Sequence, residues 1–206
     1  MLKVEDITIE KLENNEFINE LPELYELREV IENNEWHNHD SVFNHTMSVL
    51  KSCENILKDV NSQINSYLNE KIGTHTKKQL MFLANLFHDI GKKETMVQQG
   101  EDYCLAPKHE EVGAEKLRPM LDRIDLTEKE KEFVIKLVKS HSAIHFIIAP
   151  EFKEKEYEEF KITYKDIYLE LIIMAMADTV GSQLNENNPE QFRFRINFYK
   201  EILKNS

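Results

Sequence analysis

Apolar positions recur at three- and four-residue spacing over most of the chain, the signature of amphipathic helices rather than strands. In the acidic first 35 residues the pattern is weak, with Leu21, Leu24, Leu27 and Ile31 at helical spacing. A helix is predicted to start after Asp40-Ser41, either of which can cap it, and to run through Val49, Leu50 and Leu57. The next runs from about Lys77 to Ile90, with Leu80, Leu83, Ala84 and Phe87 on one face and Gly91 as its stop. Residues 92–108 read as a connection broken by Gly100 and Pro107, and another helix follows His109. Thr127 and Glu130 have capping-box spacing and open a helix that reaches His141. Thr163 to Asp166 form a looser cap before a helix through Gly181, and Asn188-Pro189 starts the last one. Short strands have room in 92–108 and 143–162, but nothing demands a sheet. The expected fold is all-α, a compact single-domain bundle.

Composition agrees. Only five glycines and five prolines punctuate 206 residues, and 41% apolar with 31% charged residues is a globular balance. The longest apolar run, Leu171 to Ala177, is too short to span a bilayer, and the acidic N-terminus lacks the features of a signal peptide. Two cysteines, Cys53 and Cys104, make no disulfide framework; a reducing cytoplasm is the expected location, with no membrane partner. The net charge of −12 repels long polyanions. It points toward a small nucleotide or a short nucleic-acid end, and away from a long duplex.

The inward faces carry chemistry. His45 shares a face with Val42 and Val49, His141 with Val134, Leu137 and Val138, and His109 with Val112, Gly113 and Leu117. His88 and Asp89 end an apolar helix, and Asp178 follows Ile167, Leu171 and Met174 on the core side of another. A buried carboxylate needs a cation or a full set of donors. Imidazoles and carboxylates converging from separate helices meet that need around a divalent metal, with Mn, Fe, Co, Ni, Zn or Mg compatible with N/O ligation.

The ordered set His45, Phe87-His88-Asp89-Ile90-Gly91-Lys92 and Ala175-Met176-Ala177-Asp178-Thr179 resembles the signature of the HD superfamily of metal-dependent phosphohydrolases. Asn44-His45-Thr46-Met47, Lys108 to Ala114 and Ser140 to His145 resemble stretches of the HD domain attached to bacterial CCA-adding tRNA nucleotidyltransferases and their stand-alone relatives. The likeness covers roughly residues 36–185, which divides the chain into an N-terminal helical extension, 1–35, and an HD phosphohydrolase domain, 36–206. Nucleotidyl transfer needs a glycine-rich strand-loop and paired aspartates; the 35 residues before the likeness contain no glycine, so CCA addition is not expected of this chain alone.

The resemblance implies His45, His88, Asp89 and Asp178 as ligands of one metal. His109 and His141 either hold a second metal, with Asp89 bridging, or contact substrate. Lys92 can place its ammonium on a phosphate, and Asp89 with Lys92 is the expected catalytic pair. His145 is a further candidate substrate contact, Lys93, Arg193 and Arg195 are weaker ones, and His37 and His39 flank Trp36 as rim residues; His75 reads as unrelated. The implied activity is metal-assisted hydrolysis of a nucleotide phosphomonoester or phosphodiester, 2′,3′-cyclic ends included. Symmetrical cleavage of diadenosine tetraphosphate and a non-catalytic nucleotide-binding module are the alternatives.

Overall fold

The computed structural model describes residues 1–100, 102–148 and 152–206. Short helices α1 (Ile9–Glu13) and α2 (Pro22–Tyr25) lead into a hairpin, β1 (Ile31–Asn33) and β2 (Asn38–Ser41), that runs directly into α3 (Val42–Asp59). Helices α4 (Ser62–Leu68), α5 (Lys77–Phe87) and α6 (Lys92–Thr95) precede a second hairpin, β3 (Val97–Gln98) and β4 (Cys104–Leu105). The rest is helical: α7 (His109–Leu121), α8 (Glu128–Ser140), α9 (His145–Ile148), α10 (Glu154–Thr163), α11 (Tyr168–Gly181), α12 (Leu184–Asn187) and α13 (Pro189–Asn205). The fold is all-α, and both hairpins are antiparallel and two-stranded. No helix among the described residues is long and apolar enough to cross a membrane.

Local chemistry sets most helix starts. Ser41 accepts the Asn44 amide at 3.1 Å and begins α3. Thr76 with Gln79 and Thr127 with Glu130 both form reciprocal capping boxes. Asn188 caps α13, with Pro189 in the first turn where its missing N–H costs nothing. The expected cap at Thr163 is displaced: Thr163 ends α10, and α11 begins at Tyr168 with no side-chain cap. Burial decides that helix instead, since every residue from Leu171 to Ala177 is buried. Of the stretches left open, 92–108 holds the second hairpin and α6, whereas 143–162 holds α9 and α10; residues 101 and 149–151 lie outside the described part.

The core is one cluster in which Leu21, Leu24 and Leu27 join α3, α5, α8 and α11. Ile31 departs from that row and is 48% exposed. The chain becomes extended there, side chains alternate in direction, and Glu32 takes the inward place. Helix α11 packs along α3 and against α13, while α8 packs on α5 and α7. Two glycines permit the closest approaches. A Cβ on Gly181 would lie 2.7 Å from the Val49 amide nitrogen, and one on Gly91 would lie 2.3 Å from the His109 carbonyl oxygen. Gly91 is right-handed (φ −85°), so it ends no helix by a left-handed turn; it makes room for the start of α7.

Candidate metal centre

Each donor sits at or near an element's end. His45 lies in the first turn of α3, His88 and Asp89 follow α5, and His109 opens α7 after Lys108, whose left-handed backbone (φ 60°) redirects the chain. His141 caps the C-terminus of α8, and Asp178 lies in the last turn of α11. The close contacts at Gly91 and Gly181 are what bring α7 to Asp89 and α11 to α3.

The six side chains form two groups able to hold a metal ion: His45, His88 and Asp178, and Asp89, His109 and His141. In the first, His45 Nε2 is 2.9 Å from Asp178 Oδ1 and 3.4 Å from His88 Nε2. In the second, His109 Nε2 is 3.3 Å from both His141 Nε2 and Asp89 Oδ1. Asp89 faces both groups: its Oδ2 is 3.1 Å from His88 Nε2 and 3.7 Å from His45 Nε2, and its Oδ1 looks toward His109 and His141.

Backbone carbonyls fix three of the rings. The Nδ1 atoms of His88, His109 and His141 lie 2.7, 2.8 and 2.7 Å from the carbonyl oxygens of Asn85, Ala106 and Val138. A carbonyl only accepts, so each Nδ1 carries the hydrogen and each neutral ring turns a lone pair on Nε2 into the site. When both rings are neutral, His109 and His141 point lone pairs at each other, an arrangement that a cation between them relieves. That donor set fits a divalent metal. Burial first, and then repulsion from any proton held on His109 or His88, pushes the His141 pKa down to about 3. Burial opposes charge on His109, but the Asp89 carboxylate outweighs it and raises its pKa. Asp89, although buried, is held well below the usual carboxylate range by His88 and Lys92.

Lys92 is itself buried, with Nζ 2.8 Å from Asp89 Oδ2 and 2.9 Å from Glu32 Oε2. Burial works against its charge, yet the two carboxylates raise its pKa. His37 lies beneath the site rather than on its rim: it is buried, its ring packs 4.4 Å from that of His45, and it lies 3.5 Å from Glu32. His39 is exposed on β2. His145 reaches the site's edge, with Nε2 3.1 Å from Asp178 Oδ2. Glu110, beside His109, accepts a hydrogen bond from Ser142. Arg195 is buried next to His145, whereas Lys93 and Arg193 are exposed. His75 lies apart, 3.0 Å from Glu130. Sequence reasoning missed Glu32 and Glu110, because a lone glutamate outside an apolar face carries no periodic signal.

A family model described as the HD domain matches residues 42–181, the segment that carries all six donors. The chain belongs to the HD domain family, a superfamily of metal-dependent phosphohydrolases. No curated protein sequence matches it.

Proposed function

We propose that the protein hydrolyses phosphoesters of small nucleotides with two divalent metal ions. His45, His88 and Asp178 would hold one ion, His109 and His141 the other, with Asp89 shared. The observation that carries this reading is the placement of Asp89, one oxygen toward each imidazole pair. Such ions, when bound, supply Lewis acidity toward a phosphoryl oxygen and toward a water molecule. The chain's own part is preorganisation. The three backbone carbonyls lock imidazoles in the tautomer that offers Nε2, and Lys92 balances the charge of Asp89. The open edge lies at Asp178 and His109, whose side chains are 17% and 15% exposed. A small ester meets only this local field, whereas a long duplex also meets the charge of −12.

The test is a panel of nucleoside monophosphates, 2′,3′-cyclic and other cyclic nucleotides, dinucleoside polyphosphates and a duplex. Each is assayed with Mn, Fe, Co, Ni, Zn and Mg at two salt concentrations. Cleavage of the small esters with a shallow salt dependence is expected. Absence of turnover on every ester with every metal, or preference for the duplex with a steep salt slope, overturns the reading.

A further inference from the structure

We infer that Arg195, lying over Trp36 beside His145, is an anion subsite that takes the substrate's phosphate next to Asp178. The inference rests on the phosphoester reading above and specifies which cation meets the ester.

Arg195 projects from α13 and is 4% exposed. Its Nε donates to Gln191 Oε1 at 3.3 Å, and one terminal nitrogen donates to the His145 carbonyl at 3.3 Å and lies 3.3 Å from His145 Nδ1. Its guanidinium carbon stands 4.8 Å from the centre of the Trp36 ring. None of these partners is a carboxylate. Among the described residues no carboxylate comes within ion-pair distance of Arg195, although Arg118 and Arg123 pair with Glu132 and Glu23. The two acids in its surroundings are engaged elsewhere: Glu35 accepts from Asn188 Nδ2 at 2.7 Å, and Asp178 is held by His45 and His145. A guanidinium keeps its charge, and burying it without an anion is costly. The indole face compensates part of that cost through a cation–π contact but brings no negative charge. A phosphate would.

The position suits that role. Arginine donates and cannot accept, so His145 Nδ1 is the acceptor, and the Tyr199 hydroxyl, 3.2 Å away, can donate to it as well. His145 then carries its hydrogen on Nε2, which lies 3.1 Å from Asp178 Oδ2. One imidazole thus separates the unpaired guanidinium from the metal-binding carboxylate. Lys92, the other cation of the site, is already shared by Asp89 and Glu32. Trp36 and Arg195 both lie outside the matched segment 42–181.

Trp36 is the single tryptophan of the chain, so its fluorescence reports on this corner directly. In EDTA, with no turnover, inorganic phosphate and adenosine monophosphate should each produce a saturable change, and adenosine none. Arg195→Gln should weaken phosphate binding by about 10- to 100-fold, the range for a lost charge-assisted hydrogen bond. In the metal-loaded enzyme it should raise KM for small phosphoesters by a similar factor with metal content unchanged. If the glutamine variant does not fold, Arg195→Lys carries the test: it keeps the charge, loses the planar fork, and should bind phosphate about tenfold more weakly. Wild-type fluorescence that ignores phosphate, or a folded Arg195 variant with wild-type phosphate affinity, overturns the subsite. A protein that binds phosphate through Arg195 but cleaves no ester overturns the function and leaves the subsite standing. Ester hydrolysis with an unchanged KM in the variant does the reverse.

Discussion

Gly181 and Val49 meet backbone to backbone, with space for no side chain between them. This contact lets the last turn of α11 lie against the first half of α3 and sets Asp178 2.9 Å from His45. Gly181→Ala gains about 1 kcal/mol of helix propensity but must push α11 away from α3. Overpacking costs about 1–3 kcal/mol, so a net loss of stability is expected. Metal affinity should fall with it, because Asp178 and His45 sit on the two helices being separated. Denaturant midpoints and metal titrations on the variant and the parent check both. A variant as stable as the parent would show that the contact is loose.

The shared position of Asp89 makes a sharper claim about metal content. Asp89→Ala should abolish binding at both groups, whereas His109→Ala or His141→Ala should remove one ion and leave the other at His45, His88 and Asp178. Elemental analysis after equilibration with Mn or Zn counts the ions. Unchanged content in His109→Ala and His141→Ala would move both residues from the metal to the substrate.

Much of this arrangement is legible in the linear pattern. Asp178 falls on the buried row of α11, and the histidines fall on apolar faces, because helical periodicity records which side faces the core. The capping box at Thr127 and the Asn188-Pro189 start are equally local and equally visible. Glu32 is not, because the chain switches from helical turns to an extended strand after Val30 and no periodic run announces the change. Gly91 misleads in the same way. Its place after an apolar helix suggests a stop signal, but its use is contact with a segment distant in sequence. The meeting of Trp36 with Arg195 is likewise tertiary, fixed only when α13 packs on α11.

Two fully buried glutamates make opposite demands on pH. Glu130 accepts hydrogen bonds from the Thr74, His75 and Thr127 amides at 2.7 Å each and from two threonine hydroxyls. Burial opposes its charge, but these donors outweigh it and pull its pKa down to about 2 from 4.5. Its contribution is present above pH 4.5 and is lost as pH falls through about 2. Among the described residues, Glu170 has only the Tyr67 hydroxyl, 3.2 Å from one oxygen, and its other oxygen has no hydrogen-bond partner. Burial raises its pKa above 4.5, so stability declines as pH rises from 4.5 through the raised value. At pH 8, Glu130→Gln should therefore destabilise and Glu170→Gln should stabilise. The Glu170→Gln gain should shrink toward pH 4.5. Urea denaturation of both variants at pH 5 and pH 8 measures the differences. A Glu170→Gln variant no more stable than the parent at pH 8 removes the argument from burial.

Lys92 is the remaining charge on which the metal-free site depends. Its ammonium lies between Asp89 and Glu32, two carboxylates that are 2% and 3% exposed. In Lys92→Ala they would face each other across a buried gap without the ammonium that now lies between them. Breaking a buried pair in this way costs about 3–5 kcal/mol. A divalent ion at Asp89 supplies positive charge to the same carboxylate, so the cost should be largest in EDTA and smaller in the metal-saturated protein. The rise in Tm on adding Mn or Zn should therefore be greater in Lys92→Ala than in the parent. Glu32→Gln gives the contrast: Lys92 keeps Asp89 as its partner, and the loss in EDTA should be smaller. Thermal denaturation of the three proteins with and without metal decides. Equal losses of stability in EDTA and in metal would mean that Lys92 supports the fold without balancing the charge of the Asp89 carboxylate.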